Sequence, residues 1–179
     1  EGPVFDLLEK NPKSIGRIRF GFGSTGNLLW SAAYVHLLGH EGCVEATRRA
    51  ILNANFLRVL LKEKGLNPYQ DEPCMHECVF TLNPKELGGV RTLDIAKRLL
   101  DYGFYAPTVY FPLIVPEAMM VEPTETESTE TLERFAEAVG KILEEVRQDP
   151  EKVKTAPHTL PVRRLDEVTA ARQPKLRHF

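Results

Sequence analysis

The sequence is poor in cysteine, in long apolar runs and in any excess of one charge, and each scarcity closes a class of function. Three cysteines are an odd count. That argues against a secreted scaffold held by disulfides and reads as a reducing compartment, the cytosol or an organelle matrix. No apolar run reaches about 18 residues, so no membrane-spanning helix is expected. A formal net charge of −2 provides no basic field for nucleic acid. The first residues, EGPVFDLLEK, lack the basic region and apolar core of a signal peptide. With no initial Met, the chain reads as a piece of something longer, or as processed. It holds neither an internal repeat nor a low-complexity tract.

What is present is enough apolar material, 42% of 179 residues, for one core, hence one domain or one small domain with appendages. Gly and Pro make the first 22 residues irregular, with room for a short strand at Arg17–Phe20. The turn Gly23-Ser24-Thr25-Gly26-Asn27 then opens a helix over Leu28–Leu38 that Ser24 or Thr25 can cap and Gly39 ends. This helix is apolar on all sides, so it is expected to be buried on most faces or to lie at an interface. A second helix covers about 41–64, with Leu57, Leu60 and Leu61 inward and Gly65 as its C′ residue. CMHECVFTL reads as a strand over 74–82. Thr92 caps a helix closed by Gly103. Short strands follow in 104–111 and 118–121, and a long amphipathic helix runs from Ser128 to Arg147 until Pro150 bars it. The rest reads as an extended tail with a short helix near 165–171. The order α-α-β-α-β-β-α predicts an α/β, α+β-like arrangement with helices over one small mixed sheet.

Charge is divided along the chain. Residues 116–149 carry ten acids against three bases, and 150–179 carry seven bases against three acids. A solvated acidic helix and a basic tail suffice to explain this, though such a tail can also dock an acidic partner.

Cys74, His76 and Cys78 are spaced by two, which on a strand puts them on one face. A straight strand holds the outer two roughly 13 Å apart, too far for a disulfide and too spread for a metal that needs about four converging ligands. No metal is expected. The cysteines read as small strand fillers, and alternation points either His76 or Glu77 inward.

The same stretch opens a wider resemblance. MHE at 75–77 and LDIAKRLLDYGFYAPTVYFPLIVPEAMMVEPTETES at 93–128 resemble the C-terminal region of glycine decarboxylase, the pyridoxal-phosphate P-protein of the glycine cleavage system. GSTGNLLWSAAYVHLLG at 23–39, TLERFAEAVGKI and TAPHTLPVRRLDE are similar as well, most closely to the two-subunit bacterial form. The chain departs from the family at Tyr105, where many members carry histidine.

The resemblance implies the small C-terminal domain of a fold-type-I pyridoxal-phosphate enzyme, with helices packed on a short mixed or antiparallel sheet. Residues 1–66 would be an inter-domain segment and long helices joining a large domain, 67–149 the small domain and 150–179 an extended tail. It implies decarboxylation of glycine with transfer of the aminomethyl group to the lipoyl arm of H-protein. The implied partners are the remainder of the P-protein, a second protomer or companion subunit, and lipoylated H-protein. No catalytic residue is expected here, because the family's Schiff-base lysine sits in a Thr-His-Lys motif that this chain lacks. Pyridoxal phosphate would be bound mainly by the large domain.

Among this chain's own residues, Ser24, Thr25 and Asn27 are the cofactor-phosphate candidates, since helix N-terminal N–H groups favour anions, with a plain helix cap as the alternative. His76, Thr108, Glu122 and Thr124 are the substrate-cleft candidates. For His76 the alternative is a satisfied core histidine, and for Glu122 and Glu125 it is ordinary helix-end acids. Trp30 and Tyr34 read as packing rather than a substrate cage. Two further readings of the whole stay open: a non-catalytic α/β binding or regulatory module, and the small domain of another fold-type-I enzyme.

Overall fold

The computed structural model describes residues 23–177 together with Pro12, Lys13 and Ile15, so the strand expected at 17–20 lies outside the described residues. The chain forms two compact units, residues 1–43 and 44–179. Helix α1, Thr25–Glu63, runs through both and is broken at Gly39, whose φ of 64° and ψ of −174° are non-helical. Glycine adopts that positive φ at no steric cost, which is why the sequence shows two helices at this point.

In the first unit, the apolar helix is open to solvent. Trp30 is 78% exposed and Leu37 85%, and Leu28, Leu29, Tyr34 and Val35 are exposed too. Burial within the chain, one of the two expectations for this helix, is therefore corrected.

The second unit is built on four short strands: β1 Asn67–Pro68, β2 Cys78–Thr81, β3 Thr108–Val109 and β4 Ala118–Val121. Their order is β1-β2-β4-β3 and every pair is antiparallel, with Phe80 opposite Met119 in the central register. The sheet is thus antiparallel rather than mixed. β1 was not foreseen because Pro68 argues against a strand; it survives at an edge, where proline's missing donor costs no ladder bond. β2 is shorter than the expected 74–82 and begins only at Cys78.

Helices α2 (Thr92–Asp101), α3 (Thr129–Gln148) and α4 (Pro150–Lys154) complete this unit, with α5 (Glu167–Arg172) beyond. The core joins Leu57 and Leu61 of α1, Phe80 of β2, Ile95 and Leu99 of α2, Met119 of β4, and Val139 and Ile142 of α3. Gly65 and Gly103 close α1 and α2 at φ 100° and 80°, as expected of C′ residues. Two expectations fail here. Arg91, not Thr92, is the N-cap of α2; Thr92 is already helical, and Glu117 seals the helix end by accepting the Thr92 N–H at 2.9 Å. Pro150 does stop α3, yet it also starts α4, where its missing N–H would be unpaired anyway, and Val153 and Ala156 are fully buried. The segment read as extended tail therefore begins as packed helix.

Ser128 caps α3 by accepting the Thr131 N–H at 3.2 Å. Ser128→Ala is expected to lower the stability of the chain by about 1 kcal/mol in urea unfolding; a loss below a few tenths would show that water replaces the cap.

Candidate functional site

The Cys74–Cys78 stretch is not a flat strand. Asn55, inside α1, clamps both sides of Cys74: the Cys74 N–H donates to Asn55 Oδ1 at 2.9 Å and Asn55 Nδ2 donates to the Cys74 carbonyl at 2.7 Å. Residues 75 and 76 bend before β2 starts, so the shared face expected of Cys74, His76 and Cys78 does not form. Nor does either neighbour turn inward, since the His76 side chain is 56% exposed and that of Glu77 38%. Burial pushes the Cys78 thiol up to about 12 and also raises Cys74, so both are protonated, unreactive thiols at neutral pH. Among the described residues no cluster of three or more His, Cys, Asp or Glu is placed to hold a metal ion.

What the bend does is bring the two signature stretches together. His76 Nε2 lies 3.9 Å from Glu122 Oε1 and 3.9 Å from Glu77 Oε2. Glu122 immediately follows β4, and α3 does not begin until Thr129. The helix-end reading of Glu122 and Glu125 is thereby corrected; the acid in the first turn is Glu130. Asn53 fixes the intervening loop, donating from Nδ2 to the carbonyls of Thr124 at 2.8 Å and Glu127 at 3.1 Å.

Beside Glu122 opens a cavity of about 310 Å³. Its floor is apolar, with Leu57, Phe104, Leu132 and Phe135, and Thr108, Glu122, Glu127 and Thr131 supply its polar groups. Phe104 and Phe135 meet edge to face, with centroids 5.3 Å apart. Tyr105, where the sequence departs from the family, also lines the cavity and is 94% exposed. Of the four cleft candidates, Thr108 and Glu122 thus line one cavity, His76 neighbours Glu122, and Thr124 contributes a carbonyl held by Asn53. Sequence reasoning missed Asn53 and Asn55. The available signal was two asparagines in mid-helix, where the residue is disfavoured unless its amide has work elsewhere.

The other candidates stand at the start of α1, in the first unit. The Ser24 carbonyl accepts the Leu28 N–H at 3.0 Å, which places Ser24 at the N-cap. The N–H groups of Thr25, Gly26 and Asn27 are those a helix leaves without intrahelical acceptors. No acid occupies this first turn, and a Cβ added at Gly23 or Gly26 would meet nothing within 4 Å.

Comparison with known proteins decides the family. Residues 46–162 match the model of the family described as glycine dehydrogenase, C-terminal domain. The chain belongs to this family. Two relatives within it carry the name probable glycine dehydrogenase (decarboxylating) subunit 2. The one from Caldanaerobacter subterraneus is 51% identical over 169 residues, 93% of this chain and 34% of the relative. One from Thermus thermophilus is 53% identical over 175 residues, 98% of this chain and 36% of the relative. The chain therefore spans about a third of the length of the curated relatives it matches. Its fold is also that of a crystal structure of glycine decarboxylase (P-protein) of the glycine cleavage system in inhibitor-bound form. The TM-score is 0.59 at 23% identity, over 69% of this chain and 28% of that one.

Proposed function

We propose that this chain is the C-terminal part of a pyridoxal-phosphate-dependent glycine decarboxylase, an oxidoreductase component of the glycine cleavage system. The complete enzyme releases carbon dioxide from glycine and passes the aminomethyl group to the lipoyl arm of H-protein. The observation that carries this reading is about 50% identity, across nearly the whole chain, to proteins named for that activity. The fold supports it, and so does the approach of the MHE and VEPT stretches, His76 Nε2 lying 3.9 Å from Glu122 Oε1. The relatives' name, subunit 2, supports a companion subunit as partner, with the remainder of the relative-length protein and lipoylated H-protein as the others. The exposed apolar helix 25–38 fits a docking role, because exposed apolar area of this extent marks an interaction surface. The reaction belongs to the bacterial cytoplasm or an organelle matrix; none of the described helices is long and apolar enough to cross a membrane.

The residues at the start of α1 fit a phosphate. They offer open first-turn N–H groups, the Ser24 and Thr25 hydroxyls, the Asn27 amide and no competing carboxylate. When bound, pyridoxal phosphate supplies an electron sink for the decarboxylation. Ser24, Thr25 and Asn27 would hold its phosphate. Thr108 and Glu122 wall the substrate cleft, with His76 and Thr124 beside it. Glu122 stands 3.9 Å from the His76 ring, and the apolar floor would keep water from the reacting groups.

Two measurements test the reading. Mixing the chain with the remainder of the protein and pyridoxal phosphate is expected to give exchange of labelled bicarbonate carbon into glycine; no exchange, with cofactor bound, overturns the assigned reaction. In the same complete enzyme, Ser24→Ala with Thr25→Ala is expected to weaken cofactor affinity by about tenfold or more, the effect of losing hydrogen bonds to a charged group. Unchanged affinity would reduce the turn to a helix cap and leave the reaction standing.

A further inference from the structure

The charge division along the chain has a counterpart in space. Glu130, Glu133, Glu137 and Glu144 of α3 are all exposed. Their spacings of three, four and seven set them in one stripe along the solvent side of the helix. None of the four carboxylates is paired with a described residue. Two bases share that side, Lys141 and Arg134, and the Arg134 guanidinium is turned over the Phe104 ring, 5.9 Å from its centroid. The tail carries the opposite sign. Residues 165–177 are exposed throughout, and α5 buries none of its side chains. Arg172, Lys175 and Arg177 are without ion-pair partners among the described residues, and Leu165, Val168 and Leu176 are exposed beside them. Arg164, 2.9 Å from Asp94 of α2, ties the tail to its own copy. Beyond Arg164 the tail bonds only to itself, as where Asp166 accepts the Thr169 N–H.

Spacing matches as well as sign. At the rise of a helix, Glu133 and Glu137 lie about 6 Å apart and Glu137 and Glu144 about 10.5 Å. In an extended segment Lys175 and Arg177 lie about 7 Å apart, and Arg172 reaches up to about 10 Å back from Lys175. Such a segment also puts Lys175 and Arg177 on one side and Leu176 on the other. Laid antiparallel to α3, it brings Arg172 to Glu144, Lys175 to Glu137 and Arg177 to Glu133. Each chain thus offers a free basic segment and a free acidic face, and two copies satisfy both at once about a twofold axis. We infer that residues 165–177 of one copy dock on the acidic face of α3 in a second copy, and the reverse. Charge and exposure carry this pairing whatever reaction the complete enzyme performs, so its failure leaves the function proposed above standing.

Exposed ion pairs contribute little each, so the dimer is weak and sensitive to salt. Sedimentation velocity of the full chain is expected to give a Kd on the order of 0.1 mM in about 0.02 M salt, and association weaker by about tenfold or more in about 0.5 M salt. A tail variant, Arg172→Glu with Lys175→Glu and Arg177→Glu, is expected to stay monomeric at low salt. So is a helix variant, Glu133→Lys with Glu137→Lys and Glu144→Lys. An equimolar mixture of the two variants should dimerise again, because reversed tail then meets reversed helix and native tail meets native helix. That recovery also shows that both variants are folded. A parent chain that stays monomeric at low salt overturns the pairing, and so does a mixture that fails to recover. Association that persists in high salt or in either variant alone places the contact elsewhere, as on the apolar helix 25–38, and overturns it equally.

Discussion

Arg98→Ala destabilises the second unit by about 3–5 kcal/mol, the range for breaking a buried ion pair from one side. Arg98 is buried on α2 and makes a two-pronged pair with Glu145 of α3, Nε to Oε2 at 2.8 Å and Nη2 to Oε1 at 2.9 Å. Its remaining nitrogen, Nη1, donates to Asp101 Oδ2 at 2.7 Å. Glu145 also accepts from Lys152 of α4 at 2.7 Å and from the Tyr102 hydroxyl at 3.2 Å. The other oxygen of Asp101 accepts three bonds from the segment after α4: the N–H groups of His158 at 2.7 Å and Thr159 at 2.8 Å, and the Thr159 hydroxyl at 2.8 Å. One guanidinium therefore balances two carboxylates that join three helices and the chain beyond them. Removing it leaves both acids in place with only Lys152 as a counter-charge. Arg98→Lys restores charge but not the fork, and is expected to recover only part of the loss. Urea unfolding followed by circular dichroism measures both variants. A loss below about 1 kcal/mol for Arg98→Ala would mean that the pair behaves as a screened surface contact.

Local chemistry made some elements legible and hid others. Ser128, the apolar stripe of α3, Gly65 and Gly103 each act within a turn or two of their own position, and a sequence shows such signals directly. Ala118–Val121 is equally plain, an apolar run before proline. The misreadings all come from partners distant in sequence. Cys74–Glu77 has the composition of a strand, yet Asn55, nineteen residues earlier, holds Cys74 in place ahead of a bend. Thr92 looks like a cap until Glu117, twenty-five residues later, takes its N–H. Pro150 reads as a stop because only the structure shows that a helix starts on it. The candidate site divides in the same way. Thr108 and Glu122 stand in the signature stretches and could be named in advance. Phe104, Leu132 and Phe135 read as ordinary core positions, and only tertiary packing turns them into a cavity floor.

Acid loosens the second unit through the same network, and the sign follows from the two carboxyls. Hydrogen bonds from Arg98 lead in lowering Glu145, with burial opposing and Lys152 assisting, and bring it to about 2. For Asp101 burial alone would raise the value, but the Thr159 N–H and hydroxyl, Arg98 and the His158 N–H outweigh it and hold it at about 2. Both groups lie below their ordinary values near 4, so the unfolded chain takes up protons first as pH falls. Their contribution is complete above about pH 5 and is lost as pH drops towards 2. Each group accounts for about 2–3 kcal/mol over that window, and the pair for less than the sum because both lean on Arg98. Denaturant midpoints at pH 7, 5, 4 and 3 are expected to fall most steeply below pH 4. In the double variant Asp101→Asn with Glu145→Gln, stability at pH 7 should be lower and the fall over the same window shallower, with Glu117 and the exposed carboxylates accounting for what is left. Parallel pH curves for the parent and the double variant would place the acid sensitivity elsewhere and strip these two carboxyls of the role.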